Sequence, residues 1–264
     1  MRFDFSFRSE YIRATTLEDA WISCMRKVIE RGKKYIVSKT GSHGGDYRLY
    51  LDCLTGVALY PEQRPIIPMS ERPGLVMPTD MNSVQEYFDT KIFSPTPPAP
   101  DEHYNYSEWL YPNTMDAIEL YTREAEAGFG TAHVALRVGD PFCLRDYLAP
   151  PEYLIDKRTG EKVLNEAKRP TTPCLLGIDT SIRQGLDPEE WFLIFYVMYR
   201  SWDLFGGFPE NMAGIQLLKE RLASEISAAT GKNVKPGPSV FFCKDLHLYG
   251  SRIEAAKAWM GIEE

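Results

Sequence analysis

Residues 191–198 read WFLIFYVM without a polar interruption, and the chain then continues YRSWDLFGGFPENMAG. An apolar run of this kind, rich in aromatic and branched side chains, is the pattern of a strand buried on both faces. Such a strand has no packing reason to end in an arginine, a serine and an aspartate. Gly206, Gly207 and Pro209 then turn the chain, and Met212, Ile215, Leu218, Leu222 and Ile226 recur at helical spacing. The junction therefore runs strand, polar corner, glycine turn, helix, with Arg200, Ser201, Asp203 and Asn211 gathered around it.

The remaining pattern mixes the same ingredients. TTLEDAWISCMRKVIERGKK opens with Thr15 and Glu18 at capping-box spacing, sets Trp21, Cys24, Met25, Val28 and Ile29 on one helical face, and ends at Gly32. Short β-rich runs follow at 35–38 and 47–60, then an irregular proline-bearing crossing over 61–79 and a helix over 83–93. SPTPPAPDEH (94–103) holds four prolines and reads as a loop. A helix is expected in TMDAIELYTREAEAG, a strand in 133–138 and a surface excursion over 140–172. LLGIDTSIR and WFLIFYVMYR are expected to pair as a hairpin. KPGP then reads as a turn, before a short strand and a terminal helix. The class is α+β, a mixed or antiparallel sheet packed with several helices.

Bulk properties narrow the function. With 264 residues, 44% hydrophobic and 25% charged, one large domain spanning 1–264 is the default. The formal charge of −7 argues against a nucleic-acid polymer as partner, because neutralising phosphates needs a basic face. The five cysteines, Cys24, Cys53, Cys143, Cys174 and Cys243, are widely spaced and include no Cys-x-x-Cys pair, so no metal site is expected. The N-terminal stretch lacks the apolar core of a secretory signal, and no window reaches the ~18 apolar residues of a membrane span. A reduced, cytoplasmic protein is expected.

Several residues could carry chemistry, each with a plainer reading. Cys174, behind Pro173 at the start of a strand, is either a small buried hydrophobe or a nucleophile. Arg200 on the neighbouring strand favours the second, because a guanidinium favours a thiolate. Arg200 could itself pair with Asp203, or grip a phosphate with its planar fork. Asn211 suits a helix N-cap, yet an amide also donates and accepts against a pyrimidine edge. His247 and Tyr249 alternate along DLHLYGS and so face one side.

Together these segments resemble the thymidylate synthase superfamily. YRSWDLFGGFPENMAG is similar to its arginine–serine–x–aspartate…glycine…asparagine segment, PCLL to its proline–cysteine nucleophile segment, and DLHLYGS to its histidine–x–tyrosine sugar-binding segment. NYSEW resembles its tyrosine-bearing turn and SVQEYF the helix with its catalytic glutamate. The likeness covers 173–250 and extends over 80–140, and residues 1–75 resemble the short archaeal-type and nucleoside-antibiotic members. It implies a thymidylate synthase-like fold and a sheet-mediated homodimer. It also implies transfer of a one-carbon unit from 5,10-methylenetetrahydrofolate to C5 of a pyrimidine nucleoside monophosphate. By position, Cys174 would be the nucleophile, Arg200 and Ser201 the phosphate ligands, and Asp203 an organiser of base and folate. Asn211 would read the base edge, His247 and Tyr249 would hold the ribose, and Tyr106 and Glu86 would order water and move protons. A buried carboxyl is expected at Glu86, since burial raises a carboxyl pKa toward neutrality.

Three departures bear on the reaction. Where thymidylate synthases carry a serine–arginine–arginine run, this chain has Thr131, Ala132 and His133, leaving His133, Arg137 or a residue elsewhere as the substitute. Leu175 stands where a histidine commonly follows the nucleophile. Only fifteen residues follow Tyr249, and a site with a weaker lid admits water, which would give a hydroxymethyl rather than a methyl product. The resemblance thus implies a CMP, dCMP or dUMP hydroxymethylase. Thymidylate synthase itself and an inactive nucleotide-binding relative are the alternatives.

Overall fold

The structure, a computed structural model, describes residues 9–37, 45–95, 104–130, 134–139, 153–155, 160–164 and 173–262. In chain order the first elements are β1 (Ser9–Ala14), α1 (Leu17–Arg31), β2 (Lys33–Ile36), β3 (Tyr47–Leu51) and β4 (Cys53–Ala58). Next come α2 (Met81–Tyr87), which runs into a π-helical turn over Phe88–Ile92, and α3 (Ser107–Glu124). They are followed by β5 (Val134–Arg137), β6 (Tyr153–Ile155), β7 (Lys162–Leu164), β8 (Leu175–Gln184) and β9 (Glu190–Tyr199). The last elements are β10 (Trp202–Asp203), α4 (Gly207–Thr230), β11 (Asn233–Cys243), β12 (Leu246–Tyr249) and α5 (Ile253–Trp259).

The α+β class is what the chain adopts. A six-stranded mixed sheet has the order β1-β4-β11-β9-β8-β5, a four-stranded sheet the order β10-β12-β3-β2, and β6 pairs with β7. β8 and β9 form the expected antiparallel hairpin, and β9 runs parallel to β11. The segment 47–60 does not stay in one sheet. β3 joins the small sheet through β12 and β4 joins the large sheet beside β1 and β11, with Asp52 alone between them.

Helix α1 shows how local chemistry sets an element. Its cap falls one residue later than the spacing predicts: Thr16 Oγ1 accepts the Asp19 N–H at 3.1 Å, and Asp19 Oδ2 accepts the Thr15 N–H at 2.7 Å. Trp21, Cys24, Met25 and Val28 are buried as expected. Gly32 ends the helix with φ −65°, not in the left-handed region, and is needed for space instead, because a Cβ there would lie 2.3 Å from the Val28 carbonyl oxygen.

The KPGP turn does not form. Residues 233–243 are one long strand, and the register with β9 shifts between Pro236 and Ser239. Prolines have no N–H to give to a ladder, so they sit at a bulge. The bulge turns its carbonyls toward α4, where Lys219 Nζ donates to Gly237 O at 2.8 Å, Pro238 O at 3.3 Å and Ser239 Oγ at 2.6 Å. Lys219 is fully buried in the apolar stripe of α4.

Helices α1, α3 and α4 pack on one face of the large sheet, burying Phe195, Val197 and Phe241. The opposite face carries two aligned rungs. One is Tyr11–Thr55–Phe242–Met198 and the other Arg13–Val57–Val240–Tyr196. Tyr11, Tyr196, Met198 and Phe242 are all exposed there.

Burial pulls Lys219 down to about 7, against the opposing pull of Glu62 and Glu220. A lysine whose folded pKa is depressed binds fewer protons folded than unfolded, so its contribution to stability grows as pH rises through that value. Between pH 7 and 8.5, urea denaturation should show stability increasing by up to ~1.4 kcal/mol per pH unit from this group. Lys219→Met should remove that component of the slope.

Candidate functional site

The site begins where β8 starts and β9 ends. Leu175 pairs with Tyr199, and just beyond that pair the Arg200 N–H donates to the Cys174 carbonyl at 2.9 Å. The Arg200 side chain folds back the same way, its Nε donating to Pro173 O at 2.9 Å. Cys174 and Arg200, both half-buried, are thus neighbours across one rung. The β8–β9 register shifts between Leu175 and Gly177, and Gly177 has φ 157° with its absent Cβ directed 2.9 Å from Leu136 O.

Beyond Arg200 the parallel pair β9 and β11 leaves the large sheet and continues as the parallel pair β10 and β12 in the small one. Trp202 N donates to Asp245 O at 2.9 Å and Leu204 N to His247 O at 2.8 Å. This step sets Asp203 opposite His247. The following turn is closed by Asp203 itself, whose Oδ1 accepts the Phe205 N–H at 3.2 Å. Its Oδ2 accepts the Gly206 and Gly207 N–H groups at 3.3 and 3.2 Å. On the other side Trp21 Nε1 donates to Leu204 O at 2.7 Å, tying α1 to the same turn.

Asn211 is not the helix cap. α4 starts four residues earlier, at Gly207, so Asn211 lies one turn inside it. Its Oδ1 accepts the Trp202 indole N–H at 3.0 Å. His247 is 4% exposed, and its Nδ1 lies 3.3 Å from Asp245 O and 3.3 Å from Asp245 Oδ1. Burial would raise the Asp245 carboxyl, but His247, then Arg48 at 2.9 Å, hold it below the ordinary range. Tyr249 meets the His247 ring edge-on at 5.0 Å, so both face one side of β12 as expected. Tyr249 is within electrostatic reach of both Asp203 and Cys174.

Around Cys174 stands a tyrosine cluster that the motif reading only partly anticipates. Tyr106, expected there, receives the Leu175 N–H on its hydroxyl at 3.4 Å. Tyr104, not expected, lies against Tyr106 at 5.4 Å and sets its hydroxyl beside the Cys174 thiol and N–H. Tyr87 and Tyr199 add two more buried hydroxyls; they influence one another but meet no partner at hydrogen-bond geometry. Burial, and then the crowding of neighbouring phenols and Cys174, pushes Tyr106 well above the ordinary phenol value. The Y-x-Y spacing in HYNYSEW is the signal that could have found Tyr104.

The expectation of a buried carboxyl at Glu86 fails. Glu86 is exposed on α2, and the residue that turns inward is Tyr87, whose ring would overlap a Cβ at Gly214 by coming within 2.6 Å. The half-buried carboxyl nearby is Glu210, raised by burial and then by Asp80 and Glu86. Ser201 is half-buried at the bend after Arg200. Arg137 is exposed at the end of β5 beside Gly177, and His133 lies outside the described residues. Cys24, Cys53, Cys174 and Cys243 are free thiols; Cys143 lies outside the described residues. Among the described residues, no group of three or more His, Cys, Asp and Glu side chains is set to hold a metal, and no helix is long and apolar enough to cross a membrane.

No protein-family profile and no curated protein sequence matches this chain. Among solved structures it is similar to thermostable thymidylate synthase A from Bacillus subtilis, with a TM-score of 0.53 and 13% identity, over 95% of this chain and 86% of that one. The fold is that of thymidylate synthase. The thymidylate synthase-like architecture therefore extends well beyond the segment 173–250 that carries the sequence motifs.

Asp203 closes the turn whatever else it does. Asp203→Ala should destabilise the protein by about 1–2 kcal/mol, as for loss of a helix-capping carboxylate. Asp203→Asn should cost less, with both read from urea-unfolding midpoints.

Proposed function

We propose that the protein transfers a one-carbon unit to C5 of a pyrimidine nucleoside monophosphate, with a 5-hydroxymethyl nucleotide as product. The observation that carries this reading is the pairing of Cys174 with Arg200 at the end of the β8–β9 ladder, with Asn211 and His247 brought to the same corner. A nucleophile, an anion ligand, an amide and a sugar-facing strand within one junction fit a single bound nucleotide.

The Cys174 sulfur adds to C6, and the ring electrons moved by that bond make C5 the nucleophile. Arg200 and Ser201 take the phosphate, and Arg200's fork suits two of its oxygens. His247 and Tyr249 hold the sugar, and Asn211 meets the base edge. Tyr106, a phenol that burial raises still further, is protonated at neutral pH, so its hydroxyl is a hydrogen-bond donor, not a base. Removal of the C5 proton then falls to a carboxylate acting through water, and Glu86 is the one the family pattern assigns.

A folate fits one feature of the corner: Asp203 Oδ1 takes a single backbone N–H and keeps acceptor capacity for a pterin N–H. When bound, 5,10-methylenetetrahydrofolate supplies the one-carbon unit at the formaldehyde oxidation level. The C5 proton would leave, the transferred carbon would part from the folate nitrogen with release of tetrahydrofolate, water would add to that carbon, and the C6–sulfur bond would break, with no change of oxidation state. The reaction assigned to thymidylate synthase would instead end in a hydride transfer and release dihydrofolate.

Incubation with CMP, dCMP, UMP or dUMP and methylenetetrahydrofolate should give a product heavier by one CH₂O unit in mass spectrometry. Cys174→Ala should abolish both that product and release of tritium from C5-labelled nucleotide. Nucleotide binding with neither product nor tritium release would favour the inactive-relative reading, and an absorbance rise from dihydrofolate would favour methylation.

The exposed Tyr11, Tyr196, Met198 and Phe242 on the open face of the large sheet also support assembly of two copies through that face. Analytical ultracentrifugation should give about twice the 30.2 kDa of the chain. Met198→Lys combined with Tyr196→Arg should return it to one copy.

A further inference from the structure

The orientation of the Asn211 amide is dictated by a neighbour. Trp202 Nε1 lies 3.0 Å from Asn211 Oδ1. An indole N–H donates and cannot accept, so the amide must present its oxygen to it. Turning the amide over would set its NH₂ against the indole N–H, two donors face to face.

The indole cannot step aside. Trp202 is 2% exposed, stacked on Tyr199 with centroids 3.9 Å apart and planes 10° apart, and packed on Phe208 at 4.6 Å. Its backbone is tied to Asp245 and paired with Leu246 in β12. The Tyr87 hydroxyl lies near the same amide, short of hydrogen-bond geometry. Tyr87 is itself wedged against Gly214 on α4.

We infer, on the reading of this corner as a pyrimidine nucleotide site in which Asn211 meets the base edge, that Trp202 locks the amide for a 4-oxo pyrimidine and so selects uracil over cytosine nucleotides. Uracil presents an acceptor at O4 and a donor at N3–H. These match the amide NH₂ and the second lone pair of Oδ1. Cytosine presents the reverse, an amino donor at C4 and a lone pair at N3. Against a locked amide it meets donor with donor and oxygen with lone pair. A free amide would serve either base by turning over, so the discrimination lies in Trp202, a positioning residue, as much as in Asn211. Matched against mismatched base edges of this kind differ by roughly ten- to a hundred-fold.

Isothermal titration calorimetry with UMP, dUMP, CMP and dCMP tests this on the wild type and on Trp202→Phe, which keeps the ring stack and removes the N–H. The wild type should bind uracil nucleotides at least about ten-fold more tightly than the matching cytosine nucleotides. In Trp202→Phe that ratio should shrink to about three-fold or less. A purely structural role would weaken all four nucleotides together and leave the ratio intact, which would overturn the inference. Wild-type protein that binds cytosine nucleotides as well as uracil ones would overturn it without any variant. Binding of none of the four would remove the nucleotide reading of the corner, and the inference with it.

Discussion

A single backbone hydrogen bond organises the corner: the amide of Arg200 on the carbonyl of Cys174. It is the last rung between β8 and β9, with the buried Leu175–Tyr199 pair on one side of it. Upstream of Cys174, Pro173 offers its carbonyl to the Arg200 side chain; downstream of Arg200 the chain leaves the large sheet. Because β9 is an inner strand of the large sheet and Leu175 and Tyr199 beside this rung are buried, the rung is anchored on the core. Cys174 and Arg200 therefore owe their adjacency to strand pairing and not to loop conformation, the more exact of the two ways to place residues.

The second organising device is the passage from one sheet to the other. Two parallel strands step together from the large sheet into the small one, carrying Asp203 and His247 as partners. The turn that follows is closed by a carboxylate from inside and an indole from α1 outside. Buried polar groups at such a step must be satisfied locally, since no ladder is left to do it. That requirement explains why residues with binding potential, Asp203 and Asn211, are already engaged with the protein.

Much of this was legible in the sequence, and the failures have physical causes. The β8–β9 hairpin, the α1 face and the α4 stripe follow from periodicity, which reports burial directly. The order of Cys174, Arg200, Asn211 and His247 carried the corner because sequence motifs preserve the ends of elements. The burial of Glu86 was misjudged because a helix position one residue away points about 100° elsewhere, and motif resemblance at SVQEYF does not fix that angle. Tyr104, Tyr87 and Tyr199 went unseen as a cluster because they come from separate elements whose convergence no local pattern announces. Lys219 was invisible for a related reason: its partners are carbonyls freed by a bulge 18 residues later.

That bulge has a consequence for how the chain finds its fold. A strand with regular side chains can slide along its neighbour by two residues and still bury the same kind of surface. β11 cannot, because Pro236 and Pro238 lack the donors that any shifted alignment would demand. Only one placement lets both gaps fall at the fault and hands the loosened carbonyls to an ammonium. The alignment so selected also sets Cys243 opposite Tyr199. Two imino acids far from the corner thus act as an index mark, and the reactive end of β9 is read off against it.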